Sequence, residues 1–255
     1  MMRPIIVIAL NTFRENLRDK ILYNLLLFAV LLMGASVLLA DLTIMEHHKI
    51  VTDMGLAAIN LTGVMIAILV GIGLVSKEIE RRTVYTIMAR PISRAQFIMG
   101  KYLGLVITLS VNVSVMSVVL FITMSAYRVP VHASLFQAIE LIFIELLLVT
   151  AMALCFSTFS SSTLSAIMTI GLYVIGHLTA DMKSIAEKSH NEAMKLVMTA
   201  LYYICPNLEV LNIKGQAATG IAVTATYQAL ATGYGLLYAT LLVCTACAVF
   251  QRRDF

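Results

Sequence analysis

Apolar residues run along this chain in six long blocks, separated by short stretches in which polar and charged residues concentrate. The blocks lie at roughly 21–40, 55–75, 102–125, 136–159, 163–180 and 229–250, each near the ~20 residues a helix needs to cross a bilayer. The fourth contains two glutamates, and the fifth is short and opens at a Ser-Ser-Ser-Thr run. Ahead of the first block, Ile6, Leu10, Phe13, Leu17 and Ile21 recur at helical spacing, with Asn11, Arg14, Glu15 and Arg18 off that line. Such a helix lies along a membrane surface.

Composition turns this pattern into a class. The 255 residues are 60% hydrophobic and 13% charged, with a mean hydropathy of +0.92, whereas soluble domains are about 25% charged. The expected fold is all-α and integral to the membrane, a single domain over 1–255. The start of the chain does not read as a secretory signal, because its short apolar run ends in charges.

Charge then orients the spans. An even number of crossings puts both termini on one side, with 77–101, the turn near 160 and the tail QRRDF. Twelve of the 18 Lys and Arg residues belong to that side, so it is expected to be cytoplasmic. Six of the twelve lie in KEIERRTVYTIMARPISRAQFIMGK, residues 77–101. A minimal reading is that these charges only hold the second and third spans in place. The local chemistry suggests more. Residues 77–89 read as a short helix that Pro91 stops, and Ser93 with Gln96 forms a capping box that opens the next one. The result is an ordered helical hairpin on the membrane, suited to docking a partner.

Glu78 with Thr83, Ala-Arg-Pro-Ile-Ser-Arg at 89–94 and Gly-Lys-Tyr-Leu-Gly at 100–104 resemble the cytoplasmic coupling segment of type-2 ABC transporter permeases. The N-terminal helix resembles the elbow helix of that family, and PNLEVLNIKGQA at 206–217 and VFQRRDF at 249–255 are also similar to it. The resemblance covers nearly the full length. It implies a non-catalytic membrane subunit, a separate ATP-binding subunit in two copies, and a second permease chain, most simply a homodimer. It implies no cofactor on this chain, ATP and magnesium being held by the partner. It places Glu78, Arg81, Arg82, Thr83, Arg90, Pro91 and Arg94 at the ATPase contact, and export as the direction of transport. The expected location is the plasma membrane, the inner membrane of a bacterium, with no nucleic-acid partner. The sequence contains no G-x-x-x-x-G-K-[ST] phosphate loop, so ATP is not expected to bind here. Neither G-x-S-x-G nor H-E-x-x-H occurs either.

Residues 181–228 form the longest segment between spans. Met182, Ile185, Ala186, Ala193, Leu196, Val197, Ala200, Leu201 and Ile204 are roughly helical in period, which predicts an outer amphipathic helix over 182–204 and a shorter one after it. In the resembled family this region caps the outer end of the pathway; the plain alternative is a helix resting on the membrane surface.

Ionisable residues inside spans are costly and default to a functional hypothesis. Glu140 and Glu145 sit five residues apart, ~140° around the helix, so they need not share a face. His177 falls at a depth similar to Glu140 and could pair with it. Asn60 and Asn112 are candidate interhelical hydrogen bonders. These five residues are candidates for a pathway, and Glu140, Glu145 and His177 as a proton relay are the basis of an alternative in which the chain is a stand-alone secondary transporter. Met45, His47 and His48 offer soft ligands of the kind copper takes, but the 15 methionines are accounted for as gap-fillers in apolar helices. The four cysteines suggest neither a disulfide framework nor a metal site.

Overall fold

In a computed structural model the chain is described over residues 3–41, 47–80, 93–188 and 192–252. Among the described residues there is no strand; nine α-helices and one 3-10 turn carry the fold. They are α1 (Arg3–Leu17), α2 (Lys20–Asp41), α3 (His47–Glu80), α4 (Arg94–Ala126), α5 (Ala133–Ser157), α6 (Ser162–Lys188), α7 (Glu192–Ile204), the 3-10 turn Glu209–Leu211, α8 (Lys214–Ala218) and α9 (Ala225–Arg252). Six of these, α2 to α6 and α9, are long and apolar enough to cross a membrane, one for each block in the sequence.

The spans α3 and α5 are mostly buried inside the chain, while α2, α6 and α9 expose most of their surface. The core therefore forms around the α3–α5 contact, with α2, α4, α6 and α9 around it. Glycines on α3 make the close approach possible. A Cβ at Gly55 would run into Leu120 of α4, one at Gly63 into Leu146 of α5, and one at Gly71 would lie 3.2 Å from Leu105. Small residues let helices pack closely where no hydrophobic drive separates protein from lipid.

The helix α1 docks along the first turns of α4. Its buried face is not the apolar stripe read from spacing. Ala9, Thr12 and Asn16 are buried, whereas Ile6, Val7 and Leu10 remain exposed. The reason is on α4: Gly100 and Gly104 form a smooth strip that accepts a small, partly polar face. Asn16 Nδ2 donates to Thr108 Oγ1 at 3.0 Å across this contact, and Thr108 Oγ1 in turn donates to the Gly104 carbonyl at 2.9 Å. Lys101, 4% exposed, lies with its Nζ 3.8 Å from Glu15 and 5.7 Å from the centre of the Phe97 ring. The larger apolar side chains of α1 are left to face lipid.

At the same end of the bundle, Phe97 of α4 stacks on Phe250 of α9, with ring centres 5.9 Å apart, in a small cluster with Ile98, Leu154, Cys155 and Ala246. α1 and the last turns of α9 thus both pack on the first turns of α4 at one end of the bundle, called here the terminus end. The opposite end carries α7 and the segment 205–218.

Two segments differ from the sequence-based expectation. Lys77–Glu80 continue α3 without a break, so no separate helix starts at 77; the rest of that expected hairpin, 81–92, lies outside the described residues. Ser93 and Gln96 do form the capping box, with Gln96 N donating to Ser93 Oγ at 3.3 Å and Ser93 N to Gln96 Oε1 at 3.1 Å. At the far end, the expected single helix over 182–204 is two helices: residues up to Lys188 extend α6, and α7 starts at Glu192. The segment after α7 does not rest on the surface. Leu208, Leu211, Ile213 and Ala217 are buried in the bundle, and α7 and 209–218 make a bent pair with a 51° angle, as in a broken span or a re-entrant loop. The polar residues among these apolar ones obscure the burial in the sequence: Asn207 and Asn212 bond to Glu209 within the segment, and Glu209 reaches His177, 32 residues away.

Candidate functional site

Three spans bring polar side chains to one place. Glu145 is on α5, 12 residues from its end at Ser157, or about 18 Å along the axis. His177 is on α6, 15 residues beyond Ser162, or about 22 Å up from the same turn. The two therefore meet at mid-bundle depth, and His177 Nε2 lies 3.1 Å from Glu145 Oε1. Asn60, buried on α3, donates through Nδ2 to Glu145 Oε2 at 2.9 Å. Tyr173, one turn from His177 on α6, donates to Asn60 Oδ1 at 3.4 Å, and its ring meets the imidazole edge-on with centres 4.7 Å apart. Four side chains from α3, α5 and α6 thus close a polar knot around a carboxyl that is 0% exposed.

A fifth member comes from the buried far-end segment. Glu209 Oε2 lies 3.4 Å from His177 Nδ1, and Glu209 is 42% exposed while His177 is 21% exposed. Accessibility rises in steps from Glu145 through His177 to Glu209. The 3-10 turn that presents Glu209 is held from several sides. Asn212 Nδ2 donates to both carboxylate oxygens of Glu209, at 3.2 and 3.1 Å. Leu208 N donates to the Gly176 carbonyl at 3.0 Å, and Asn207 N to the Tyr234 hydroxyl at 2.8 Å. Gly176 is needed here, since a Cβ would lie 2.8 Å from Leu208 Cγ and 2.9 Å from the Pro206 carbonyl oxygen.

Electrostatics favour hydrogen-bonded sharing in this site. An ionised carboxylate without partners is expensive in such a setting, and Glu145 has one on each oxygen. With both carboxylates ionised, a doubly protonated imidazole donates to both. With Glu145 protonated, a neutral imidazole accepts from it at Nε2 and donates to Glu209 at Nδ1. Both arrangements keep both hydrogen bonds.

The remaining predicted residues are spread elsewhere. His177 does not pair with Glu140. Glu140 turns to the other side of α5, where Gln228 Nε2 donates to it at 2.9 Å and Thr232 Oγ1 at 3.1 Å, near the far end of α9. The ~140° offset along α5 separates the two carboxyls as the helical period requires. Asn112, buried on α4, finds no hydrogen-bond partner for either amide atom among the described residues and does not join the knot. Arg94 donates to the Gln251 and Phe250 carbonyls at 3.1 and 3.4 Å, capping the exposed carbonyls at the end of α9. Glu78 lies in the last turns of α3, and Arg81, Arg82, Thr83, Arg90 and Pro91 lie outside the described residues. So does Met45. Among the described residues no group of three or more His, Cys, Asp and Glu is placed to hold a metal.

Glu209 is the residue that sequence reasoning missed. Its signal was the Asn-Leu-Glu-Val-Leu-Asn pattern within 207–212, where a lone acid sits between two asparagines and apolar neighbours.

Replacing Gly176 with Val should push 206–211 off α6. The read-out is Cys205, which is 8% exposed and free. Burial raises its thiol pKa, and since the thiolate is the reactive form, wild-type labelling by a membrane-impermeant maleimide should be slow at neutral pH and quicken as pH rises. Gly176→Val should label several-fold faster at every pH; equal rates would show the segment still seated.

A helical bundle with six helices long and apolar enough to cross a membrane defines a multi-pass membrane protein. The chain belongs to the ABC-2 family of transporter proteins, whose model matches residues 6–255. It is a type-2 ABC transporter permease. A comparison with curated proteins returned no match.

Proposed function

We propose that this permease is the membrane half of an ATP-driven exporter, working as a homodimer with two copies of a separate ATP-binding subunit. The terminus end of the bundle is cytoplasmic in this reading, in a plasma membrane of bacterial inner-membrane type. The ATPase docks on the charged connection between α3 and α4, through Glu78, Arg81, Arg82, Thr83, Arg90 and Pro91. Arg94 belongs to the same contact, and it also binds the carbonyls at the end of α9.

The observation that carries the reading is the family match over residues 6–255. Permeases of this family work with ATP-binding subunits, and this chain has no phosphate loop of its own. The excess of Lys and Arg at the terminus end supports the orientation. The knot around Glu145 fits within this reading and does not require a stand-alone transporter.

Co-purification with the cognate ATPase in detergent tests it. Wild type should retain the ATPase, and Arg90→Glu and Glu78→Lys should each weaken retention, more so at low salt, where charge contacts count most. A wild-type permease that retains no ATPase and moves substrate in vesicles without ATP would overturn the reading. Adding the impermeant maleimide to intact cells should reach Cys205 from outside if the orientation is right.

A further inference from the structure

We propose that His177 relays a proton between Glu209, at the aqueous far end, and the buried carboxyl of Glu145, so that this permease has a proton-loading site within the membrane. The inference rests on the reading of the bundle as membrane-spanning. It does not rest on coupling to an ATPase.

The geometry is a graded chain. Glu209 is 42% exposed, His177 21% and Glu145 0%. Both links are within hydrogen-bonding distance, 3.4 Å at Nδ1 and 3.1 Å at Nε2. The two ring nitrogens face the two carboxyls, which is the arrangement imidazole needs to pass a proton without turning.

The step balances. It starts from a neutral imidazole with its proton on Nε2, donated to ionised Glu145. Glu209 takes a proton from water and donates its new hydroxyl to Nδ1. That proton moves to Nδ1 as the Nε2 proton moves to Glu145 Oε1. Glu209 is again a carboxylate, the imidazole is again neutral with its proton now on Nδ1, and Glu145 is a neutral acid donating to Nε2. One proton has entered, and the buried site has lost one negative charge. Once Glu209 carries its proton, both hydrogen bonds to the ring are made before and after the transfer, and the buried Glu145 carboxyl keeps a partner on each oxygen throughout.

Other groups around His177 shape this relay. From α3 comes Asn60, uncharged, which holds the second Glu145 oxygen. From α6 itself comes the Tyr173 ring. Beyond the 3-10 turn, Lys214 of α8 contributes a positive charge that acts on His177. From α9, Tyr227 stands near Glu209, with its hydroxyl donated to the Val210 carbonyl at 2.8 Å. Loading would also be mechanical: Glu209 rides on the segment that Gly176 and Tyr234 hold, so lifting that segment cuts the relay.

The test is infrared difference spectroscopy of the full-length permease in lipid bilayers, stepped between alkaline and acidic buffer. Wild type should show a buried protonated-carboxyl signal that grows at acidic pH and reverses. Glu145→Gln should remove it. His177→Gln can still hydrogen-bond both carboxyls but cannot relay, and should slow the growth of the signal after a pH jump by ~10²-fold, the scale of a positioned acid–base group. Glu209→Gln, at a partly exposed position, should slow it while leaving the His177–Glu145 pair in place. An unchanged difference spectrum in Glu145→Gln would overturn the proposal. So would wild-type loading rates in both His177→Gln and Glu209→Gln. Because no ATPase enters the assay, failure to capture one would leave this result intact.

Discussion

Gly104→Leu should give a permease that no longer behaves as one folded species after extraction. The position lies where α1 crosses α4, and even a Cβ would sit 2.6 Å from Thr12 Cβ and 2.8 Å from the Ala9 carbonyl oxygen. The second of these contacts is with backbone, which cannot swing aside as a flexible side chain can. Forcing extra atoms into a tight helix contact costs typically 1–3 kcal/mol, sometimes more. Here the way out is to undock α1, which also breaks the buried Asn16–Thr108 hydrogen bond and exposes Lys101, now buried at 4%. The expected result is a broadened or early-eluting peak on size exclusion and a melting temperature lowered by several degrees. Gly104→Ala should fall between this variant and wild type. A sharp, wild-type profile for Gly104→Leu would mean that α1 does not dock as described.

The second large effect is expected at Glu145. Glu145→Leu removes the acceptor for Asn60 and His177 in one change. Each buried donor left unpaired costs about 1–3 kcal/mol; part of this is regained, since Leu has no charge to desolvate. The damage should not be confined to α5. His177 loses its Nε2 partner and is held by Glu209 alone at Nδ1, so the link from the 3-10 turn through His177 to α5 is cut. Hydrogen exchange should rise at 206–213, most clearly at the Leu208 amide that binds the Gly176 carbonyl. Glu145→Gln keeps a donor and an acceptor in the same place and should change both stability and exchange far less. Equal exchange at 206–213 in Glu145→Leu and wild type would show that the knot and the far-end segment are not coupled.

Much of the architecture is legible in the one-dimensional pattern. Each of the six apolar blocks became a span, since a run of ~20 apolar residues in a bilayer has helix as its main way to satisfy every backbone group. The cap at Ser93 and Gln96 was equally legible, because capping is decided by residues three apart. The α1 helix was only half legible. Its periodicity was correct, but the face that packs is the one with small and polar residues, because the partner surface is the Gly100–Gly104 strip of α4. In a membrane the most apolar face has no reason to turn inward, since lipid is as apolar as protein.

The site shows the same division more sharply. That Glu145, His177 and Asn60 are costly inside a membrane follows from residue type alone. Which of them meet does not. Depth read from the sequence offers Glu140 as the partner of His177. The crossing of α5 with α6 decides for Glu145, while the helical offset sends Glu140 to α9. Glu209 lay in a segment that reads as surface, and only its burial with Leu208 and Leu211 brings it to the imidazole. Spans, caps and the cost of buried charge depend on near neighbours and on the solvent, so the chain specifies them locally. Partners for those charges lie 32 and 85 residues apart along the chain, and helix packing alone sets which of them come within reach.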